Sequence, residues 1–280
     1  MTDGSCNSCC VADARPLATS NGFRMVQCRA CGLVYLCPRP DPRELLVLYG
    51  SYHQRRGGDE ASWGTLMDDV FRSSAATLNG MRGRTGRGRL LDIGCGFGAF
   101  VRIMQSEGWD AEGIDPSPVV VAAAQRRGVP VRQGTIEDLK PTTSRYDAVT
   151  MFYVLEHLPD PLAALGKAHE LLAPGGTLLV RVPHTTPIVR MLSPLGLGAS
   201  LYDAPYHLYD FSPSVLQEMM RKAGFAEIRT FPGRPTRPPR FGPRTASLLF
   251  GTLARGVHAA TGGAVLLPGV SKTTVARKPG

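Results

Sequence analysis

The chain has no long hydrophobic run. Nothing in its 280 residues approaches the ~18 consecutive apolar residues that span a bilayer. The most apolar stretch, residues 246–267, is broken by Arg255, His258 and the pair Gly262 and Gly263. The first ten residues also lack the basic-then-apolar order of a secretory leader, so a cytoplasmic protein is expected. Acidic residues are in short supply, 23 against 32 basic ones, which leaves a net charge of +9. Arginines are dense at Arg82, Arg84, Arg87 and Arg89 and again at Arg234, Arg237, Arg240 and Arg244. Between them lie Gly and Pro rather than the aromatics that stack on bases. Nucleic acid is therefore not the expected partner, and the charge fits a solvated surface or an anionic small molecule.

Cysteine is what the front of the chain has in quantity. Cys6-x-x-Cys9 and Cys28-x-x-Cys31 are separated by eighteen intervening residues, the pattern of two knuckles each offering two thiolates to a tetrahedral zinc ion. Gly32 after the second pair permits the tight turn of a knuckle. In a cytosolic chain such cysteines indicate metal or thiol chemistry rather than disulfides. A module of about forty residues is too small to hold itself together by burial alone, so the metal would supply folding energy. Four thiolates leave no open position for water or substrate, and the expected zinc is structural. Cys10 adjoins Cys9 and could compete as a ligand, and Cys37 is a spare.

After residues 1–40, Asp41 and Pro42 open a helix carrying Leu45, Leu46, Leu48 and Tyr49. Met67, Val70, Phe71, Ala75, Leu78 and Met81 predict a second helix, their spacing that of a stripe packed on a sheet. Residues 80–88 are Gly- and Arg-rich and predict a linker, so residues 41–87 form a helical connection to the main domain.

That domain begins with Leu90-Leu91-Asp92-Ile93-Gly94-Cys95-Gly96-Phe97-Gly98, a buried strand, a glycine turn and a helix from Ala99. Gly94, Gly96 and Ala99 also satisfy a variant of the dinucleotide fingerprint. Asp92 separates the two readings, because a pyrophosphate gains nothing from a carboxylate there while an amino-acid-like ammonium does. A second strand ends in Asp115, where a carboxylate can accept both hydroxyls of a ribose. Glu137 and Asp138 follow a third strand. A fourth, residues 146–152, runs into Glu156-His157-Leu158-Pro159-Asp160-Pro161. Leu171-Leu172-Ala173-Pro174-Gly175-Gly176 then leads into a fifth, residues 177–182. Residues 225–231 and 273–276 predict the last two. About forty residues intervene between them, with a predicted amphipathic helix over 245–259 that suits a substrate cap, a homodimer contact or a membrane-surface helix.

This series resembles the class I S-adenosylmethionine-dependent methyltransferases over residues 88–230. The resemblance implies an α/β, Rossmann-like seven-stranded sheet carrying a small N-terminal zinc ribbon, with a core at 88–231 and an insertion and last strand at 232–280. It implies cofactor contacts from Asp92, Gly94, Cys95, Gly96, Gly98, Asp115, Pro116, Glu137, Asp138, Phe152 and His157. Cys31-Gly32-Leu33-Val34-Tyr35 with Pro38-Arg39-Pro40 is similar to the ribbon that precedes such domains in bacterial natural-product and glycan-modifying enzymes.

Transfer of a methyl group to a hydroxyl or an acidic carbon needs a proton removed, a role histidine suits. The candidates are His207, just before a helix opening at Ser212 and Pro213, His157 after the fourth strand, and His184 after the fifth. Residues 185–205 are Gly-, Pro- and Leu-rich and should line the pocket of a small acceptor that is anionic or partly apolar. No Asn-Pro-Pro-Tyr motif for planar amines is present. The expectation is a small-molecule methyltransferase of a biosynthetic pathway, O-methylation ahead of C- or N-methylation. A ribosomal-RNA base methyltransferase and a cofactor-binding regulator without turnover are the alternatives.

Overall fold

The structure, a computed structural model, describes residues 4–41, 43–45, 60–81, 88–140, 145–238, 241–267 and 271–280. Three short strands come first: β1 (Ala14–Ser20), β2 (Phe23–Cys28) and β3 (Val34–Leu36). β1 and β2 are joined through Asn21 and Gly22, at φ 51° and 83°, the positive-φ pair that a tight hairpin requires. The long helix α1 (Glu60–Met81) leads into alternating elements: β4 (Arg89–Ile93), α2 (Ala99–Ser106), β5 (Asp110–Asp115), α3 (Pro118–Arg126) and β6 (Val131–Gln133). Next come β7 (Tyr146–Phe152), α4 (Pro161–Leu171), β8 (Leu172–Val182) and α5 (Thr186–Leu192). The chain closes with β9 (Tyr209–Asp210), α6 (Pro213–Lys222), β10 (Ala226–Pro232), α7 (Phe241–Ala260) and β11 (Lys272–Arg277).

Seven strands form one sheet in the order β10-β11-β8-β7-β4-β5-β6. All pairs are parallel except those of β11, which runs against both its neighbours. This is the expected Rossmann-like sheet. β4, β7 and β8 are near-continuous apolar runs because helices cover both faces. On one face α1 buries Met67, Val70, Phe71, Ala75 and Leu78, each large side chain contributing on the order of 1.5–3 kcal/mol by leaving water. Phe71, Phe100 and Phe152 form a ring cluster there, with centroids 5.4, 5.0 and 4.7 Å apart. The other face is packed by α4 and α6 through Leu165, Leu171, Leu216 and Met219. Both helices start as the sequence signals: Asp160 accepts from Leu162 N and Ala163 N, Ser212 accepts from Val215 N, and a proline follows each cap.

β8 begins at Leu172, five residues before its predicted start. Tyr146 pairs with Leu172 and Ala148 with Thr177, so the Ala-Pro-Gly-Gly turn bulges out between two paired stretches. α7 begins at Phe241 rather than 245, with Pro243 in its first turn, where a proline costs no hydrogen bond. It rests on the body through Gly251, where a Cβ would lie 2.7 Å from Pro235, and through buried Ala254. Phe241, Leu249, Phe250 and Leu253 are exposed. No helix among the described residues is long and apolar enough to cross a membrane.

The helix predicted over Leu45, Leu46, Leu48 and Tyr49 lies outside the described residues beyond 45, as do Arg82, Arg84, Arg87 and Arg240. Its opening is described. Asp41 Oδ1 accepts from Arg43 N and Glu44 N, and Glu44 Oε2 accepts from Asp41 N, at 2.8–2.9 Å, a reciprocal capping box.

The N-terminal strands form a second, antiparallel sheet of order β1-β2-β3-β9. Its fourth strand comes from far along the chain: Val34 pairs with Asp210 and Tyr35 with Tyr209. Met25, Val34, Tyr35 and Leu36 are at most 2 % exposed and share one continuous core with β4, α4 and α6.

Candidate functional site

β4 and β7 flank the point where strand order reverses, and ligands of such sheets bind beyond the carboxyl ends of the strands there. Asp92 of β4 pairs with Thr150 of β7, and Thr150 Oγ1 donates to Asp92 Oδ1 at 2.6 Å. Asp92 is 2 % exposed. Burial pushes its carboxyl up to about 7, the charge of Asp115 adding to this and the Thr150 hydrogen bond opposing it. A buried carboxyl whose one side-chain partner among the described residues is a hydroxyl fits an incoming ammonium.

The glycine turn follows. A Cβ on Gly94 would lie 2.5 Å from Val154 Cγ2, and one on Gly98 2.7 Å from Val129 Cγ1; a Cβ on Gly96 would meet nothing within 4 Å among the described residues. Gly94 and Gly98 therefore serve close packing, while Gly96 leaves its front open to a ligand. Gly96 N donates to Asp115 Oδ2 and Ser117 N to Asp115 Oδ1, both at 2.9 Å. Asp115 thus ties the turn to the end of β5. Pro116 continues that bend, its carbonyl accepting from Gln133 Nε2 at 3.4 Å.

Other members of the predicted set sit differently. The Cys95 thiol turns into the core, where a Cβ on Gly113 would meet its sulfur at 2.4 Å. The Phe152 ring is packed between Phe71 and Phe100. Asp138 Oδ2 accepts from Thr135 N and Oγ1 at 2.8 and 2.9 Å, and these bonds hold its carboxyl below the usual range. Glu137 is exposed.

A second group of candidate side chains gathers on the loops after β7, β8 and α5. His157 ends the turn Leu155–His157, and its Nδ1 is 2.8 Å from the Tyr206 carbonyl oxygen. The His207 ring meets it edge-on, and Asp203 Oδ2 lies 3.8 Å from His207 Nε2. The structure thus brings two of the three candidate histidines together. His184 faces a different neighbourhood. Burial and then the Lys272 charge push it down to about 4, against the pull of Asp210, so it is a weak base.

Sequence reasoning missed the buried charges beneath this pair. Glu156 is 0 % exposed, and neither carboxylate oxygen has a hydrogen-bond partner among the described residues. Burial raises its carboxyl to about 8, Asp210 adding and Lys272 opposing. Lys272 is 1 % exposed and lowered to about 8 by burial; its ammonium donates to the carbonyls of Pro183 and Phe211. Asp210 accepts from Thr185 N, Thr186 N and Thr186 Oγ1 at 2.6–2.9 Å, capping α5 from a distance. Ligand atoms of Glu156, His157 and His207 lie within 4.8 Å of one another, close enough to share a cation. The adjacency of Glu156 to His157 was the one signal available in the sequence.

The four predicted cysteines also converge. Their sulfurs lie within 4.8 Å of one another, with Cys6 Sγ–Cys31 Sγ at 3.4 Å and Cys9 Sγ–Cys28 Sγ at 3.6 Å. Zinc–sulfur bonds of about 2.3 Å give tetrahedral edges of about 3.8 Å, so the cluster fits that ion. The knuckles match each other: Cys10 N donates to Cys6 O and Gly32 N to Cys28 O, with Cys10 at φ 60° and Gly32 at φ 82°. Cys10 holds the place of Gly32 in its knuckle, and its thiol is exposed.

The family model described as "Methyltransferase domain" matches residues 67–229, more than half of the chain and the whole of the glycine turn, Asp115 and both paired histidines. The chain belongs to the methyltransferase-domain family. It is 35 % identical over 150 residues to a ubiquinone biosynthesis O-methyltransferase of Cereibacter sphaeroides, covering 50 % of this chain and 61 % of that one. The same named enzyme of Xanthomonas campestris is 35 % identical over 146 residues, 48 % of this chain and 61 % of that one. The match spans about three fifths of the length of these relatives. Two solved structures share the fold at lower identity. One is a methyltransferase of Thermotoga maritima described as a possible histamine N-methyltransferase (TM-score 0.53, 19 % identity, 84 % of this chain and 99 % of that one). The other is a methyltransferase of Archaeoglobus fulgidus (TM-score 0.53, 17 % identity, 82 % and 99 %).

Proposed function

We propose that this chain is an S-adenosylmethionine-dependent methyltransferase that methylates a hydroxyl of a small, partly apolar biosynthetic acceptor, with His207 as the base. The observation that carries the reading is the Asp203–His207–His157 arrangement beside the ends of β7 and β8. When bound, S-adenosylmethionine supplies an electrophilic methyl group on a sulfonium. Asp115 would take the ribose hydroxyls, Asp92 the ammonium, and the Gly96 main chain would allow close approach. His207 removes the acceptor's O–H proton as the oxygen–carbon bond forms and the carbon–sulfur bond breaks. The Asp203 carboxylate steadies the resulting imidazolium, and His157, pinned by the Tyr206 carbonyl, fixes the ring from its side. The protein's remaining work is alignment and exclusion of water. The relatives named O-methyltransferases support oxygen as the accepting atom, and the four-thiolate cluster would hold a structural zinc ion.

The carboxyl of Glu156, without a hydrogen-bond partner among the described residues, favours a second reading, in which Glu156, His157 and His207 hold a divalent cation that acidifies the acceptor hydroxyl. Incubating the protein with labelled cofactor and a cell extract, then identifying the labelled species by mass, tests the main proposal. A methyl ether on a small molecule supports it. Labelled RNA, a labelled amine or no transfer overturns it. Activity that falls to background in Glu156→Gln while cofactor affinity holds, and that depends on added divalent cation, would favour the second reading.

A further inference from the structure

Residues 203–211 carry His207, and they are held from two sides. From the catalytic loops, the Tyr206 carbonyl meets His157 Nδ1 at 2.8 Å and Leu208 N donates to the Glu156 carbonyl at 2.8 Å. From the cysteine ribbon, Leu36 N donates to the Leu208 carbonyl at 2.9 Å, and β9 completes the ribbon's own sheet. Asn21, at the tip of the β1–β2 hairpin, donates its side-chain amide to the Ala204 carbonyl at 2.8 Å. His207 thus hangs between a catalytic half and a ribbon half. The glycine turn, by contrast, is tied to the end of β5, where Gly96 N and Ser117 N donate to Asp115, and Asp92 is tied to β7 through Thr150.

We infer that the ribbon is a positioning element for the acceptor side: Asn21 and the β3 main chain hold the segment that presents His207, so ribbon order governs methyl transfer while cofactor binding proceeds without it. The inference rests on the reading of His207 as the base. Its physical ground is that β9, at two residues, is far too short to stand alone. Once β3 is lost, the Tyr209 and Asp210 main chain loses its ladder and the Leu208 carbonyl its donor. A shift of about 1 Å in a reacting group is enough to cost roughly a hundredfold in rate. The four thiols are the ribbon's own fastening, so metal loss or thiol oxidation would reach His207 through β3.

Asn21→Gly is the sharpest test. Asn21 already has the positive φ that glycine adopts freely, so the hairpin persists and only the Ala204 contact is removed. In the full-length protein, hydrogen exchange of peptides covering 203–211 should quicken at least tenfold in Asn21→Gly, and more after chelation. Peptides covering β4 and β7 should be unchanged. Turnover should fall roughly tenfold to a hundredfold, with calorimetric cofactor affinity within twofold of the starting protein and full recovery on restoring zinc to the chelated sample. Unchanged exchange across 203–211 in both samples overturns the inference, as does a parallel loss of cofactor affinity. If instead His207→Ala keeps full activity, the assignment of the base falls, while the exchange data still decide whether the ribbon orders the segment.

Discussion

His157 and His207 meet edge to face, ring centroids 4.8 Å apart and planes at 65°, although they come from different loops. Each is anchored by a second group, the Tyr206 carbonyl for His157 and the Asp203 carboxylate for His207. The two anchors sit on the same turn, where Tyr206 N and His207 N both donate to the Asp203 carbonyl. Removing one ring should leave the turn closed.

His207→Ala should therefore lower turnover roughly 10²–10⁴-fold, the usual contribution of a general base, with cofactor affinity intact. Asp203→Asn should give a smaller loss of turnover, because the imidazolium formed in the reaction loses its neighbouring charge. Steady-state kinetics check both. Full activity in His207→Ala would reduce the ring to packing.

Asp115→Ala should weaken cofactor binding at least tenfold. The carboxylate offers charged acceptors worth about 1.5–3 kcal/mol each, and it also holds Gly96 N and Ser117 N. Loss of those two bonds loosens the turn, so the mutant should show faster amide exchange at 96–98 as well as lower affinity. Calorimetry finding wild-type affinity would reject the ribose assignment.

One zinc ion per chain is expected on Cys6, Cys9, Cys28 and Cys31. Elemental analysis of protein purified without chelator should give a ratio near one, and Cys28→Ser Cys31→Ser should lose it. Cys10→Ala should keep the metal, because that residue closes the knuckle with its main chain and turns its thiol to solvent. A metal-free preparation, or a metal-replete double mutant, would count against the site.

The large sheet was legible from the sequence because each strand ends in punctuation a local rule reads: a glycine turn after Ile93, a carboxylate at Asp115, a capped helix after Asp160. The cysteine cluster was legible from spacing alone. What was not legible are relationships between distant segments. β9 is two residues with no pattern of its own, and it is a strand only because β3 lies beside it. Cys95 and Phe152 sit in the right motifs, yet their side chains point into the core, since a motif fixes the backbone path and the packing of Gly113 or Phe71 decides the rest. Glu156, Asp210 and Lys272 are charges whose burial follows from tertiary packing, which no local window carries.

The buried carboxyl of Asp92 yields the last prediction, a pH dependence with a definite sign. In the free protein burial raises its pKa from 3.8 to about 7. A raised carboxyl favours the folded state while protonated. Its stabilising contribution is complete below the unfolded value and is lost as pH rises through about 7. Binding an ammonium does the opposite, because it favours the carboxylate. Cofactor binding below about pH 7 must then expel a proton, and affinity should climb by up to tenfold per pH unit between about pH 5 and 7. It should level off above that and decline once the ligand's own α-amino group, near 7.7–8.0, begins to lose its proton. Calorimetry in two buffers of different ionisation heat should show close to one proton released per ligand near pH 6. Asp92→Asn should bind more weakly above pH 7, and the climb below it should be gone. Equal affinities at pH 5.5 and 7.5 in the unmodified protein would mean that the ammonium is held elsewhere.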